Sequence, residues 1–135
     1  MSLINGCANF DYREFYCPGV VGLPPEYRAN VAELARQLQV VRDTIGRPLK
    51  ITSGYRTTDH NQIVGGVSRS QHLTASAADV KASGLSGQEL YMVFDALIRS
   101  GQIRQGGIGV YSTWLHYDIR TDKDGQPRAA RWRGG

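Results

Sequence analysis

Residues 106–119 read Gly106-Gly107-Ile108-Gly109-Val110-Tyr111-Ser112-Thr113-Trp114-Leu115-His116-Tyr117-Asp118-Ile119. They form two neighbouring strand patterns, 106–111 and 114–119, and the short spacing predicts an antiparallel pair. Side chains alternate across a strand. In the second strand that places Trp114, His116, Asp118 and Arg120 on one face, and Leu115, Tyr117 and Ile119 on the other. One face carries an imidazole and a carboxylate side by side, and the other is apolar.

Two more strands extend the pattern. Ala77-Ala78-Asp79-Val80-Lys81 turns Ala78 and Val80 toward a core and Asp79 away from it, and Leu49-Lys50-Ile51-Thr52 alternates as a short strand. Pro24-Pro25 opens a helix whose stripe is Val31, Leu34, Ala35, Leu38, Val41 and Ile45, closed by Gly46 with Pro48 beyond. Ser86 and Glu89 form a capping-box pattern ahead of Leu90, Val93, Phe94, Leu97 and Ile98. Residues 57–64 suit a short helix and 67–76 a polar loop. Asp124-Gly125 marks a turn. These elements predict an α+β fold, a small antiparallel sheet with helices on one side.

The 135 residues suit one domain. A chain of this size buries about two thirds of the surface its unfolded form exposes, enough for a core without staples. Residues 1–23 read as an N-terminal arm, with Phe10, Tyr12, Phe15 and Tyr16, and residues 122–135 as a basic C-terminal tail. No apolar run reaches the roughly 18–20 residues of a membrane span. The opening Met1-Ser2-Leu3-Ile4-Asn5-Gly6 lacks the pattern of a secretory signal. The net charge is +4, and residues 101–135 hold six Arg or Lys against three Asp. That skew suits either an anionic partner or a solvated basic face. Cys7 and Cys17 are not spaced as a zinc knuckle; a disulfide and two free thiols both remain open.

Of the three histidines, two stand where chemistry can gather. His72 lies in a polar loop that runs into the strand of Asp79, and His116 lies mid-strand. Two imidazoles and a carboxylate are a tridentate zinc set with room for water at the fourth position. Such a site acidifies its water toward neutrality. Ordinary polar roles are the alternative for each residue.

In chain order the sequence also carries Ser53-Gly54-Tyr55-Arg56, His60-Asn61, Gly65-Gly66, Ser70-Gln71-His72, Ala77-Ala78-Asp79, Gly107-Ile108-Gly109-Val110-Tyr111 and His116-Tyr117-Asp118. This ordered set resembles the zinc D-alanyl-D-alanine carboxypeptidases, which group with lysostaphin-type peptidases and the hedgehog signalling domain. It is most similar to the small phage- and prophage-type members, over about residues 8–133. The resemblance implies zinc held by His72, Asp79 and His116. It implies an electrophilic role for Arg56 and a substrate-holding role for Ser70. Surface pairing for Arg56 and a local backbone bond for Ser70 are the alternatives.

One position departs from the family pattern. Many members carry an acid three residues before the last metal histidine, and here Thr113 stands there. Asp118 is the substitute on the same strand face. It acts as base, as orienter of an imidazole, or as a plain partner of Arg120 or Arg56. Tyr111 and Trp114 either line the cleft and hold substrate or pack as strand aromatics.

The expected activity is zinc-dependent hydrolysis of peptidoglycan stem peptides, by a D-Ala-D-Ala carboxypeptidase or an endolysin-like endopeptidase. The alternative is an idle wall-binding module with a structural zinc. A nucleic-acid binder using Arg128, Arg131, Trp132 and Arg133 ranks last. The expected protein is a monomer with no nucleic-acid or membrane partner. It would reach the cell wall as a phage lysis enzyme, on a phage tail, or in the periplasm or outside the cell after release.

Overall fold

The computed structural model describes residues 3–134. Five strands, β1 (Lys50–Ser53), β2 (Ala77–Lys81), β3 (Gly107–Val110), β4 (Leu115–Asp118) and β5 (Ala130–Arg133), form one sheet in the order β1-β2-β4-β3-β5. Three helices accompany them, α1 (Arg28–Ile45), α2 (Thr58–Ile63) and α3 (Gly87–Arg99). The α+β expectation holds. No helix among the described residues is long and apolar enough to cross a membrane.

Helices α1 and α3 pack on one face of the sheet. The stripe Val31, Leu34, Ala35, Leu38 and Val41 is fully buried, as are Leu90 and Phe94 of α3. They meet Ala78, Val80, Ile108, Val110, Leu115 and Tyr117 in a single core. Each of these large aliphatic or aromatic side chains contributes roughly 1.5–3 kcal/mol when removed from water. The helix ends follow their sequence signals. Gly46 closes α1 with φ +68°, a backbone conformation that favours glycine. At α3, Ser86 Oγ accepts the Glu89 N–H at 3.0 Å and Glu89 Oε1 accepts the Ser86 N–H at 2.9 Å. Thr57 caps α2, and the expected 67–76 loop contains a tight 3₁₀ turn over Gln71–Thr74.

The N-terminal arm is part of the core. Ile4, Phe10 and Phe15 are each 1% exposed. Asn9 and Gln39 exchange hydrogen bonds at 3.0 and 2.7 Å, which fastens the arm to α1. Met1 and Ser2 of the expected arm lie outside the described residues. Cys7 and Cys17 are buried free thiols.

The sheet departs from expectation at one edge. It is mixed rather than antiparallel, because β5 pairs parallel with β3 (Gly107↔Ala130, Gly109↔Trp132). Residues 130–133 are therefore strand, not tail. The cause is crowding. The chain reverses after β4 through the Asp122–Gly125 turn, but both edges of β4 are already taken by β2 and β3. The returning strand pairs at the far edge of β3, one strand away from β4, where its direction reads as parallel; the other open edge, on β1, lies two strands from β4.

On the face away from α1 and α3, the register sets one row across the sheet: Ser53, Asp79, His116, Gly109 and Trp132. The segment before Arg56 is set from the arm side. The Tyr55 N–H donates to the Phe15 carbonyl at 2.9 Å. A Cβ at Gly54 would stand 2.8 Å from Phe15 Cα and 2.9 Å from its carbonyl oxygen. Backbone on both sides cannot yield, so Gly54→Ala is expected to destabilise the fold by about 1–3 kcal/mol. Urea unfolding measures this, and a wild-type midpoint would contradict the account.

Candidate metal centre

His72 reaches the sheet from the 3₁₀ turn. Ser70 Oγ accepts the His72 N–H at 3.1 Å, and Ala75 closes the turn in the left-handed region at φ +59°. The His72 carbonyl accepts the Arg56 N–H at 2.9 Å, so the two site segments share a backbone bond. His116 stands directly opposite Asp79 in the β2–β4 pairing. The ligand-type atoms of His72, Asp79 and His116 all lie within 4.8 Å of one another, and all three residues are buried.

Hydrogen bonds on the outer side of each ring assign the tautomers. His72 Nδ1 lies 2.7 Å from the Gly54 carbonyl oxygen, which can only accept, so Nδ1 carries the proton. His116 Nε2 lies 2.7 Å from Asp118 Oδ2. Asp118 is fully buried and receives Arg120 Nε at 2.8 Å, Arg120 Nη2 at 2.7 Å and the Gly107 N–H at 3.0 Å. Burial disfavours its charge, but these donors outweigh burial and hold its carboxyl well below the ordinary range. As a carboxylate it accepts from His116 Nε2.

In the neutral rings, lone pairs therefore remain on His72 Nε2 and His116 Nδ1. Both point at Asp79 Oδ1, at 3.2 and 3.1 Å. Three electron-rich atoms at one point need a proton or a cation among them. Burial pulls the His116 pKa down, yet its bonds to Asp118 and Asp79 prevail and raise it above its ordinary value. For Asp79, burial is likewise outweighed by the two histidines, and its carboxyl titrates well below the usual range. Two imidazoles and a carboxylate, each oriented by an outer partner, fit a tetrahedral Zn²⁺ site with one open position.

Arg56 borders this point. Its Nε donates to Ser53 Oγ at 3.1 Å, Nη1 to Asn61 Oδ1 at 3.2 Å and Nη2 to Asp79 Oδ2 at 3.2 Å. Asn61 is itself buried and donates to the Val67 carbonyl at 2.9 Å. Gly66 makes this possible, since a Cβ there would stand 2.0 Å from Asn61 Oδ1. Asn61 thus pins Arg56, while His60 lines a neighbouring cavity rather than the centre.

The cleft over the centre measures about 440 Å³, and its lining includes Arg56, Ser70, Tyr111, Trp114, Arg120 and Trp132. Tyr111 and Trp114 stack with centroids 3.7 Å apart and planes 4° apart. Trp132 donates from Nε1 to Tyr111 Oη at 3.2 Å, and its ring lies 5.0 Å from that of His116. Gly109 makes way for it, because a Cβ would stand 2.3 Å from Trp132 Nε1. Trp132 was not among the residues expected to shape the site. Its signal, Trp132 alternating with Arg131 and Arg133, is legible only once 130–133 is read as a strand.

Asp118 does not reach the cleft. It sits behind His116, with its oxygens engaged by His116, Arg120 and Gly107. Of the three roles open to it, the geometry fits the orienter, paired with Arg120, and does not fit a base. Thr113 is exposed on the turn between β3 and β4. Asp79 is the one carboxylate among the residues described as lining the cleft.

These titrations set an acid and an alkaline limit on the metal-free fold. The depressed carboxyls of Asp79 and Asp118 stabilise above their unfolded pKa and lose that contribution as pH falls through the folded values. The raised His116 stabilises below its unfolded pKa and loses its contribution as pH rises through the folded value. The three groups together predict that metal-free protein is most stable at about pH 5–6.5. Urea unfolding of chelated protein across pH checks this, and stability still rising from pH 6.5 to 8 would contradict it.

The chain has no match among curated proteins. The family model of peptidase M15 matches residues 8–118, which include Arg56, His72, Asp79, His116 and Asp118 and stop short of Arg120 and Trp132. With that match over most of its length, and a buried His-Asp-His centre at the matched positions, the chain belongs to the peptidase M15 family.

Proposed function

We propose that this protein is a zinc-dependent peptidase that hydrolyses peptide bonds in the stem peptides of bacterial peptidoglycan, as a D-Ala-D-Ala carboxypeptidase or an endolysin-like endopeptidase. The observation that carries the reading is the convergence of His72 Nε2, His116 Nδ1 and Asp79 Oδ1 beside a held arginine. His72, Asp79 and His116 would hold the ion. A bound zinc supplies Lewis acidity toward a carbonyl and lowers the pKa of a water molecule.

The chain's own groups do the rest. Arg56 has five N–H donors. Three engage Ser53, Asn61 and Asp79, which leaves one on each Nη for the oxyanion of a tetrahedral intermediate. A fork held on three sides is preorganised, so little reorganisation accompanies the reaction. Ser70 Oγ already accepts the His72 N–H, and its hydroxyl proton is free to donate to a substrate carbonyl or terminal carboxylate. Tyr111, Trp114 and Trp132 give the peptide an apolar wall. Asp118 fixes the His116 tautomer, and Arg120 and Gly107 hold Asp118.

One observation favours a second reading, an idle wall-binding module with a structural zinc. Thr113 offers no carboxylate, and Asp118 is turned away from the cleft. Turnover of peptides ending in D-Ala-D-Ala, and of whole peptidoglycan, by the zinc-loaded protein separates the two. Release of D-alanine or of peptide fragments, lost in His116→Ala, supports the peptidase. Tight wall binding with no release from either substrate supports the module.

Two variants test the assigned roles. Arg56→Ala is expected to keep its zinc and lower kcat about 10²–10³-fold, the usual cost of losing an oxyanion donor. Elemental analysis beside steady-state kinetics reads both quantities. Asp118→Asn is expected to weaken zinc affinity about 10–100-fold, measured by competition with a chelator. Wild-type affinity would remove Asp118 from its orienting role.

A further inference from the structure

Arg47, Lys50 and Lys81 share a cavity of about 620 Å³ with Pro48 and Ser83, and no carboxylate lines it. Lys50 and Lys81 are direct cross-strand partners in the β1–β2 pairing. Like charges at directly opposed positions destabilise a sheet. Neither lysine belongs to an ion pair among the described residues. Arg47 is held in place, donating from Nη1 to the Ser83 carbonyl at 2.9 Å. Gly84 leaves it room: a Cβ there would stand 2.9 Å from Nη1, on a backbone with φ +83°.

Shared lining residues link this cavity to the metal centre. Lys81 also lines a second cavity of about 350 Å³, together with Thr52, Ser53, Arg56, Asp79 and Trp114. Arg56, Asp79 and Trp114 in turn line the cleft over the centre. The three spaces follow one another along the sheet face that carries Asp79. On that face Lys81 is the next residue of β2, roughly 6.6 Å from Asp79. Lysines on an edge strand also discourage strand addition. That role accounts for Lys50 on the edge strand β1, but not for a second lysine facing it from an interior strand or for an arginine fixed beside both.

We propose that Arg47, Lys50 and Lys81 form an anion subsite that binds a carboxylate of the peptide substrate about two to four residues from the scissile bond, at roughly 3.3 Å per extended residue. The assignment rests on the peptidase reading above and names a feature of its substrate: a peptide with a free carboxylate beyond its reacting end. The shared sheet face and lining residues that lead to the cleft are why the anion belongs to the substrate itself. The cations are exposed, so the attraction is screened by salt.

Two synthetic peptides test this. Both end in D-Ala-D-Ala, and they differ only in whether a glutamate three residues before the scissile bond bears a free carboxylate or an amide. For the zinc-loaded wild type at low salt, KM is expected to be about fivefold lower for the acid peptide, with the gap closing in high salt. In Lys50→Gln/Lys81→Gln the acid peptide's KM rises to that of the amide peptide. Its urea midpoint is at or above wild type, since a like-charge pair is relieved. Equal KM values in the wild type, or the same gap in the variant, overturn the subsite. If neither peptide is cut, the D-Ala-D-Ala carboxypeptidase form of that reading fails on its own, and calorimetric Kd values for the same peptides decide the subsite. A wild-type gap lost in the variant upholds it, and no gap overturns it.

Discussion

His72 Nε2 and His116 Nδ1 lie 3.2 and 3.1 Å from the same oxygen, Asp79 Oδ1. Three acceptors do not share a buried point unless something positive stands among them. Much of the surrounding structure keeps that arrangement from relaxing. The Gly54 carbonyl and Asp118 occupy the outer nitrogens of the two rings, so neither can turn its protonated side inward without breaking a 2.7 Å bond. Arg56 holds the second oxygen of Asp79. The constraint is one of lone-pair direction, and outer hydrogen bonds enforce it.

The fold brings these groups together by register rather than by loop flexibility. Asp79 and His116 are opposite one another in adjacent interior strands, where a one-residue slip of either strand would send its member of the pair into the core. That core is what resists a slip, because Ala78, Val80, Leu115 and Tyr117 are fully buried on the other face. Gly109 continues the same row, and its missing side chain is the space Trp132 fills. A feature that looks like a gap in strand propensity is thus a seat for the cleft wall. Two site segments are not built on a sheet strand or an α-helix: the 3₁₀ turn that delivers His72, and the loop between β1 and α2 that carries Arg56. The turn is tied at the Arg56 N–H and at Ser70.

Alternation made much of this legible in the residues themselves. His116 and Asp118 share a strand face by period alone, and Asp79 faces away from Ala78 and Val80 by the same rule. The helix stripes and the Ser86–Glu89 cap carry strong local signals. The direction of Asp118 was not legible, because period two sets a face and not the neighbour on that face. Arg120, two residues further along the chain, and the Gly107 N–H of the paired strand decide it together, and the second is a tertiary partner. Strand β5 was hidden for a related reason. Ala130-Arg131-Trp132-Arg133 lies at an edge and covers no core, so its pattern resembles a charged tail. Its parallel pairing depends on which edge other strands leave open, and no window of sequence contains that information. The turn of residues 71–74 escaped because its cap, Ser70, also suits an ordinary loop.

The charges around the centre cancel in formal terms. Arg56 is set against Asp79 and Arg120 against Asp118, each within 3.2 Å, and the two imidazoles are neutral when both are ligands. The positive field of a loaded cleft would then come from the ion itself. The protein's uncompensated cations lie elsewhere. Two of the C-terminal arginines counted in the basic skew have local work: Arg120 holds Asp118, and Arg131 holds the Gly106 carbonyl and Gln105. Lys50 and Lys81 have no such partner, and they share the sheet face of the centre. A substrate carboxylate there would relieve a repulsion the free protein carries. An ion pair gained in that way adds affinity without requiring the catalytic groups to move, so recognition of the chain and chemistry at the bond remain separable.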